Sequence, residues 1–170
     1  MSKPLRIYKP YTDKSTNTVK GSASSFEIAV KNKNGYEDVM VFLTMAKEIP
    51  SNNDNSAFAW EDPLQSAQMK LGDADIFDLL AVIRGVKNQV GGDNGKGLFH
   101  KNKVGNSALK FSYNDEKKSF ALEISSKRGD DLVRVYHAVT MGEALALGIL
   151  LEEYVRRRYD WCNAVVFEKQ

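Results

Sequence analysis

The chain has 170 residues and a mass of 19.0 kDa, with 42% hydrophobic and 27% charged residues, a composition typical of one soluble globular domain. An aromatic content of 10% excludes a disordered chain, and a single cysteine, Cys162, excludes an internal disulfide and a multi-cysteine zinc site. No apolar stretch approaches the roughly 20 residues of a membrane-spanning helix, and the net charge of +2 does not by itself indicate nucleic acid.

Alternating apolar and polar residues predict a first group of strands followed by a helix. In chain order, the predicted strands are residues 5–11, 19–31, 39–48 and 64–70. Residues 57–60 form either part of the fourth strand or one arm of a bulged hairpin, because Pro63 interrupts the pattern. Asp73 is the predicted N-cap of the helix. Its apolar residues recur at the spacing of one helical face: Ile76, Leu79, Leu80 and Ile83.

A glycine-rich linker over residues 91–95 separates this group from a second one of the same order. The predicted strands are residues 98–101, 108–113, 119–126 and 132–139. Thr140 and Glu143 have the spacing of a capping box, which predicts a helix that ends near Arg158. That helix is apolar nearly all round between residues 144 and 151, so we expect this part to be buried.

The sequence therefore predicts an α+β fold in which a unit of four strands and one helix occurs twice. The first unit spans about residues 5–88 and the second about residues 97–161, within a single domain.

Two basic stretches stand out against a neutral to acidic remainder. Residues 1–35 contain seven Lys or Arg and two acids, and residues 96–110 contain four lysines and no acid. Since the local field decides where a polyanion binds, these stretches are candidate contact regions. Solvated loops and strand edges explain the same clustering equally well.

Signals for an enzyme are weak. The two histidines, His100 and His137, have no spacing to Cys162 or to an acid that would indicate a nucleophilic site. The alternation around His137 favours a structural histidine in a strand. The glycines of residues 91–97 do not fit the phosphate-binding loop motif. We expect no catalytic residues, no metal site and no cofactor.

Aromatic and basic residues alternate in residues 6–11 and again in residues 99–103. Unpaired bases stack on exposed rings, and lysines neutralise phosphates, so this pattern is typical of proteins that bind single strands. The alternative is that Tyr8, Tyr11 and Phe99 are half-buried strand residues.

Six short segments, spread over most of the chain, are a further signal. They are residues 18–24 (Thr-Val-Lys-Gly-Ser-Ala-Ser), 59–60 (Ala-Trp), 98–100 (Leu-Phe-His), 119–125 (Ser-Phe-Ala-Leu-Glu-Ile-Ser), 139–144 (Val-Thr-Met-Gly-Glu-Ala) and 159–161 (Tyr-Asp-Trp). In content and order they resemble motifs of the Whirly family of single-stranded DNA-binding proteins, over about residues 8–161. Ser22 stands where that family has a second motif lysine, which acts in assembling its tetramers into larger particles.

The resemblance implies two antiparallel sheets packed with two helices, a homotetramer, and binding of single-stranded DNA with little sequence specificity. It implies a role in DNA replication, recombination, repair or transcription. The lack of a long apolar stretch separately predicts no membrane association. The alternatives are an RNA-binding protein of the same fold class and an oligomeric scaffold that does not bind nucleic acid. Because the N-terminal residues contain no apolar signal core, we expect an intracellular protein of the cytoplasm or nucleoid, a phage-infected host cell being one setting.

The expected nucleic-acid contacts lie in both units. In the first unit they are Lys9, Tyr11, Lys20, Ser22, Ser24 and Trp60, and in the second they are Phe99, Lys101, Lys103 and Lys110.

Overall fold

A computed structural model of the chain describes residues 3–33, 36–51, 56–92, 95–101, 103 and 105–159. The first unit consists of β1 (Leu5–Lys9), β2 (Thr12–Asp13), β3 (Thr18–Val19), β4 (Ser22–Lys33), β5 (Tyr36–Ile49), β6 (Ala57–Phe58), β7 (Ser66–Leu71) and α1 (Asp73–Ile83). The second consists of β8 (Leu98–Lys101), β9 (Asn106–Asn114), β10 (Ser119–Arg128), β11 (Asp131–Val139) and α2 (Met141–Tyr159). The predicted order of main strands and helices is confirmed.

The main strands form two antiparallel sheets. In the first sheet β1, β4 and β5 are neighbours in that order, and β5 also pairs with β6 and β7. The second sheet has the order β11-β10-β9-β8. The short strands β2 and β3 form a separate hairpin, which the sequence did not predict because two residues show no periodicity.

One hydrophobic core lies between the inner faces of the sheets. Phe26 and Leu43 are opposite each other on β4 and β5 and are fully buried. In the second sheet, Phe111 and Phe120 stack with ring centroids 5.0 Å apart. Strand β11 contacts β1, β4, β5 and β7, so the sheets cross one another. The outer face of each sheet is therefore not part of this core.

Helix α1 begins differently from the prediction. Its N-cap is Gly72 and not Asp73, because the Asp75 carboxylate accepts the Gly72 amide at 2.7 Å. Asp73 instead accepts hydrogen bonds from the hydroxyls of Tyr154 and Tyr159 on α2. This network ties the start of one helix to the end of the other.

Helix α2 begins as predicted but is not buried all round. Thr140 Oγ1 accepts the Glu143 amide at 3.3 Å, and Glu143 Oε2 accepts the Thr140 amide at 2.8 Å, which confirms the capping box. Leu147 is fully buried, whereas Leu145 and Ile149 are exposed by 64% and 63%. Within the single chain, the core therefore covers one side of the apolar segment and leaves the other side exposed.

None of the helices in the described ranges has both the length and the apolar character needed to cross a bilayer. Trp161 and Cys162 lie outside the described residues.

Candidate functional site

Two exposed aromatic rings lie on the outer face of the second sheet. Phe99 on β8 and Tyr136 on β11 are 61% and 56% exposed. Because successive side chains of a strand point to opposite faces, the residues next to them in the sequence face the core. His137, for example, is only 4% exposed. Both rings are thus free to stack on a planar group.

Four cations share this outer face: Lys101, Lys110, Lys127 and Arg134. All four are exposed, and within the described residues none of them forms an ion pair. On the outward-facing positions of the four strands, the described residues include one acid, Glu123. The face therefore has a positive field that attracts a polyanion.

Small side chains form the floor between these groups. A row across the sheet joins Phe99 to Arg134 through Ala108 and Ser125. With neighbouring strands about 4.8 Å apart, this row spans about 14 Å. The low floor leaves room for bases to lie against the sheet. We call this surface, with its two rings and four cations, the second-sheet face.

The two first-unit lysines predicted as contacts are already paired within the chain. Lys9 Nζ lies 2.7 Å from Glu143 Oε1, and Lys20 Nζ lies 2.7 Å from Asp13 Oδ2. The hydrogen bond from Lys20 lowers the pKa of the Asp13 carboxyl below its ordinary range. The positive charge that these lysines offer to a phosphate is therefore partly neutralised.

The two serines predicted as contacts are buried and belong to a polar link between the sheets. Ser22 and Ser24 are 5% and 0% exposed. Ser22 Oγ lies 3.1 Å from His137 Nδ1, and Ser24 Oγ lies 3.1 Å from His137 Nε2. Because they are enclosed in the sheet interior, we do not keep either serine among the proposed contacts.

The hydrogen bonds of this link fix the form of the imidazole. Ser22 Oγ donates its hydrogen to the Tyr136 carbonyl at 2.8 Å, so it must accept the hydrogen of His137 Nδ1. Nε2 is then the acceptor for the Ser24 hydroxyl. Burial, and secondarily the charge of Lys9, lower the pKa of His137 to about 4. The ring is therefore neutral at physiological pH, as expected for a structural histidine.

A second aromatic group lies at the edge of the first sheet. The rings of Tyr8 and Phe58 are 5.5 Å apart, and those of Phe58 and Trp60 are 6.2 Å apart. The Arg6 guanidinium lies 5.9 Å from the centre of the Trp60 ring. Trp60 is thus half-buried within a surface cluster. The predicted contact Tyr11 is exposed nearby in sequence, at the end of β1.

A cleft of about 340 Å³ lies between the two units and is lined by residues of both. Its lining includes Lys20 and Lys47 from the first unit, Arg134 and Tyr136 from the second, and one acid, Glu48. Lys20 therefore lies close to Arg134 and Tyr136 of the second-sheet face, although it is more than 100 positions away in the sequence.

Three of the four contacts predicted in the second unit share one face of the molecule. Phe99, Lys101 and Lys110 are on the second-sheet face, and Lys103 is exposed just after β8. Lys127, Arg134 and Tyr136 are not among the contacts predicted from the sequence. The alternation of the strand predicted at residues 132–139 could have identified the last two.

Other polar groups have structural roles. His100 Nε2 lies 2.8 Å from Asp75 Oδ2, the oxygen that also accepts the Gly72 amide at the start of α1. Within the described ranges, no three His, Cys, Asp or Glu side chains are placed to hold a metal ion.

Comparison with solved structures identifies the fold. The Arabidopsis thaliana WHY3 structure superposes with a TM-score of 0.62 at 13% identity, covering 96% of this chain and 92% of that one. The plant transcriptional regulator PBF-2 gives 0.58 at 16% identity, over 100% and 98% of the two chains. The fold is Whirly-like. A guide-RNA-binding protein complex bound to a guide RNA gives 0.60 at 13% identity, over 95% of this Whirly-like chain and 96% of that one.

No protein-family model matches the sequence, and no curated protein matches it. The Whirly-like fold is thus recognised through three-dimensional structure, at identities that show the fold alone.

Proposed function

We propose that this chain binds single-stranded DNA, with little sequence preference and without catalysis. The observation that carries the proposal is the second-sheet face, where exposed Phe99 and Tyr136 lie among four cations that have no ion pair in the described residues. Rings stack on any base, and lysines and arginine neutralise any phosphate, so such a face does not distinguish sequences.

The geometry favours a single strand over a duplex. Stacking on Phe99 or Tyr136 requires a base whose face is open, and in a duplex the base faces are covered by their neighbours. Stacking contributes about 1–3 kcal/mol per base, which is a factor of about 5 to 150 in affinity. We propose that the Whirly-like fold serves here, as the sequence resemblance implies, to protect or organise exposed strands in replication, recombination, repair or transcription.

RNA is the second candidate ligand. A structural neighbour is a guide-RNA-binding protein complex bound to its guide RNA. The rings of the second-sheet face contact bases and its cations contact phosphates, and both groups occur in DNA and in RNA. A binding measurement therefore decides which of the two the chain prefers.

Fluorescence anisotropy with labelled oligo-dT, oligo-rU and duplex DNA, each at 50 and 200 mM salt, tests the proposal. We expect tight, salt-dependent binding of oligo-dT and much weaker binding of the duplex. Equal affinity for the duplex and its separated strands would contradict the proposal, and tighter binding of oligo-rU would favour the RNA alternative. If the chain binds none of the three, the proposal fails and the oligomeric scaffold is the remaining candidate function.

Two variants distinguish phosphate contact from general surface charge. The double variant Lys101→Ala with Lys110→Ala should lower the slope of log affinity against log salt by about 1.4. Lys117→Ala is the matched control, because Lys117 is exposed in the turn between β9 and β10, outside the second-sheet face. An unchanged slope in the double variant would show that these lysines do not contact the strand.

We propose further that the chain forms a homo-oligomer, with the homotetramer implied by the Whirly resemblance as the specific expectation. Met141, Leu145 and Ile149 form an exposed apolar stripe along α2, at i, i+4 and i+8. Phe77 and Val86 add exposed apolar surface at α1 and just beyond it. Burying such helix surface against other copies of the chain would remove it from water.

A further inference from the structure

A polar groove runs between the two sheets on the side of β7. One part, about 520 Å³, is bordered by β7 and β8, and a second part, about 290 Å³, reaches the ends of β9 and β10. Gln68, Lys70 and Ser107 line both parts, so the two are continuous. Lys101 lies at one end and Arg128 at the other. We call this the inter-sheet groove.

The lining of the inter-sheet groove is cationic and contains no carboxylate. Lys70, Lys101 and Arg128 are all exposed, and none has an ion pair in the described part of the chain. The cleft that contains Lys20 differs, because Glu48 lies in its wall. Two acids lie just outside this lining: the buried Asp75, which bonds to Gly72 and His100, and Asp131, which is opposite Arg128 on β11. The three cations of the concave lining outnumber them and concentrate positive potential there.

The ends of the groove reach the outer faces of both sheets. Lys101 belongs to the second-sheet face. Lys70 points outward from the first sheet, where it is opposite Phe42 on β5, and the half-buried Phe42 lines the groove as well. The groove thus connects the surface described above to the first sheet and supplies an aromatic side chain on the way.

We propose that the inter-sheet groove binds consecutive phosphates of the same single strand and guides it from the second-sheet face onto the first sheet. Lys70 and Lys101 act as point charges on successive phosphates, and Arg128 binds one phosphate through its planar fork of donors. The inference rests on the proposed function and adds two contacts that are not predicted from the sequence: Lys70 and Arg128.

The ligand chemistry is the phosphodiester backbone, which DNA and RNA share. Both oligo-dT and oligo-rU should therefore depend on the groove in the same way. A preference between the sugars, if measured, would then come from another part of the surface.

The test uses the double variant Lys70→Gln with Arg128→Gln in the full chain. Loss of two phosphate contacts should lower the log–log salt slope by about 1.4 for either oligonucleotide. Between 50 and 200 mM salt, the wild type should then lose about sevenfold more affinity than the variant. Lys117→Gln is the control for removal of a surface charge, and its slope should equal that of the wild type.

A charge-conserving variant separates charge from structure. Lys70→Arg with Arg128→Lys keeps both cations and should retain the wild-type slope, and a melting curve for each variant checks that it folds. If Lys70→Gln with Arg128→Gln does not fold, the two single variants are measured, each with an expected loss of about 0.7 in slope.

Failure of the groove and failure of the proposed function give different results. Suppose that the wild type binds oligo-dT and that Lys101→Ala with Lys110→Ala lowers the salt slope. If Lys70→Gln with Arg128→Gln then leaves the slope unchanged, the proposal for the groove is overturned and the proposed function stands. If the wild type binds no single strand, the proposed function fails and the groove fails with it.

Discussion

The buried link between His137 and the two serines makes a quantitative prediction about stability and pH. In the folded chain, burial lowers the pKa of His137 from its ordinary value of 6.5 to about 4. Each tenfold change in proton affinity corresponds to about 1.4 kcal/mol. Keeping this imidazole neutral therefore makes folding less favourable by roughly 3 kcal/mol at pH 4 than at pH 7.

The direction in which stability changes with pH depends on whether the folded or the unfolded chain binds the proton more tightly. Below pH 6.5 the unfolded chain protonates His137, while the folded chain does not until about pH 4. The contribution of His137 to stability is thus fully present above pH 6.5, falls as the pH drops, and is constant below about pH 4. Lys9 and Glu143 face the same region, and the pKa of Glu143 is lowered, so Glu143 remains ionised through most of this window.

Urea unfolding of the wild type and of His137→Gln at pH 7, 6, 5 and 4.5, at one fixed protein concentration, measures the effect. We expect the variant to be less stable at pH 7 and the difference between the two proteins to shrink as the pH falls. Parallel stability curves would refute the reasoning. If His137→Gln does not fold, NMR titration of the wild-type histidines decides the matter, and a His137 midpoint near 6.5 would contradict it.

Four further substitutions test the surfaces and the packing of the fold. Phe99→Ala and Tyr136→Ala should each weaken oligo-dT binding by about 5- to 150-fold, measured by anisotropy, because each removes a stacking ring. An unchanged affinity would show that the strand does not contact that ring. Leu145→Asp should lower the oligomer mass measured by light scattering, because it places a carboxylate in the apolar stripe; an unchanged mass would exclude the stripe as the interface. Gly21→Ala should lower the melting temperature, because its Cβ would lie 2.6 Å from the Tyr11 backbone nitrogen and 2.7 Å from the Lys9 carbonyl oxygen; an unaltered melting curve would show that these backbone contacts relax freely.

Local signals in the sequence were enough to predict the main elements. Alternation over eight residues marks each of β10 and β11, and the box of Thr140 and Glu143 marks the start of α2. Strands β2 and β3, with two residues each, have no such pattern. The N-cap of α1 was misplaced because Asp73 has the right residue type for a cap, whereas its carboxylate bonds to tyrosines on α2.

The candidate site was predicted less completely, because its contacts depend on residues that are distant in sequence. Ser22 and Ser24 are hydroxyl residues beside a lysine, which is typical of a polar surface. Their partner, His137, is more than 100 positions away, so only the packing of β11 on β4 shows that they are enclosed. The pairing of Lys9 with Glu143 is equally nonlocal.

Exposure of an apolar residue is also difficult to predict from sequence. The segment around Leu145 and Ile149 has the composition of a buried helix, and in a single chain part of it faces solvent. The same composition is expected whether core or another copy of the chain covers the residues. Only the structure separates buried Leu147 from its exposed neighbours.

Photocrosslinking of a halogenated oligo-dU strand to the wild-type protein, with the crosslinked peptides identified by mass spectrometry, tests the central claim most directly. Because the reaction joins a base to a ring in van der Waals contact, it reports which aromatic side chains the strand touches. We predict crosslinks at Phe99 and Tyr136, reduced when either ring is replaced by alanine. Crosslinks confined to Phe77 and Tyr159, which stack on each other at the helices, would contradict the assignment of the second-sheet face.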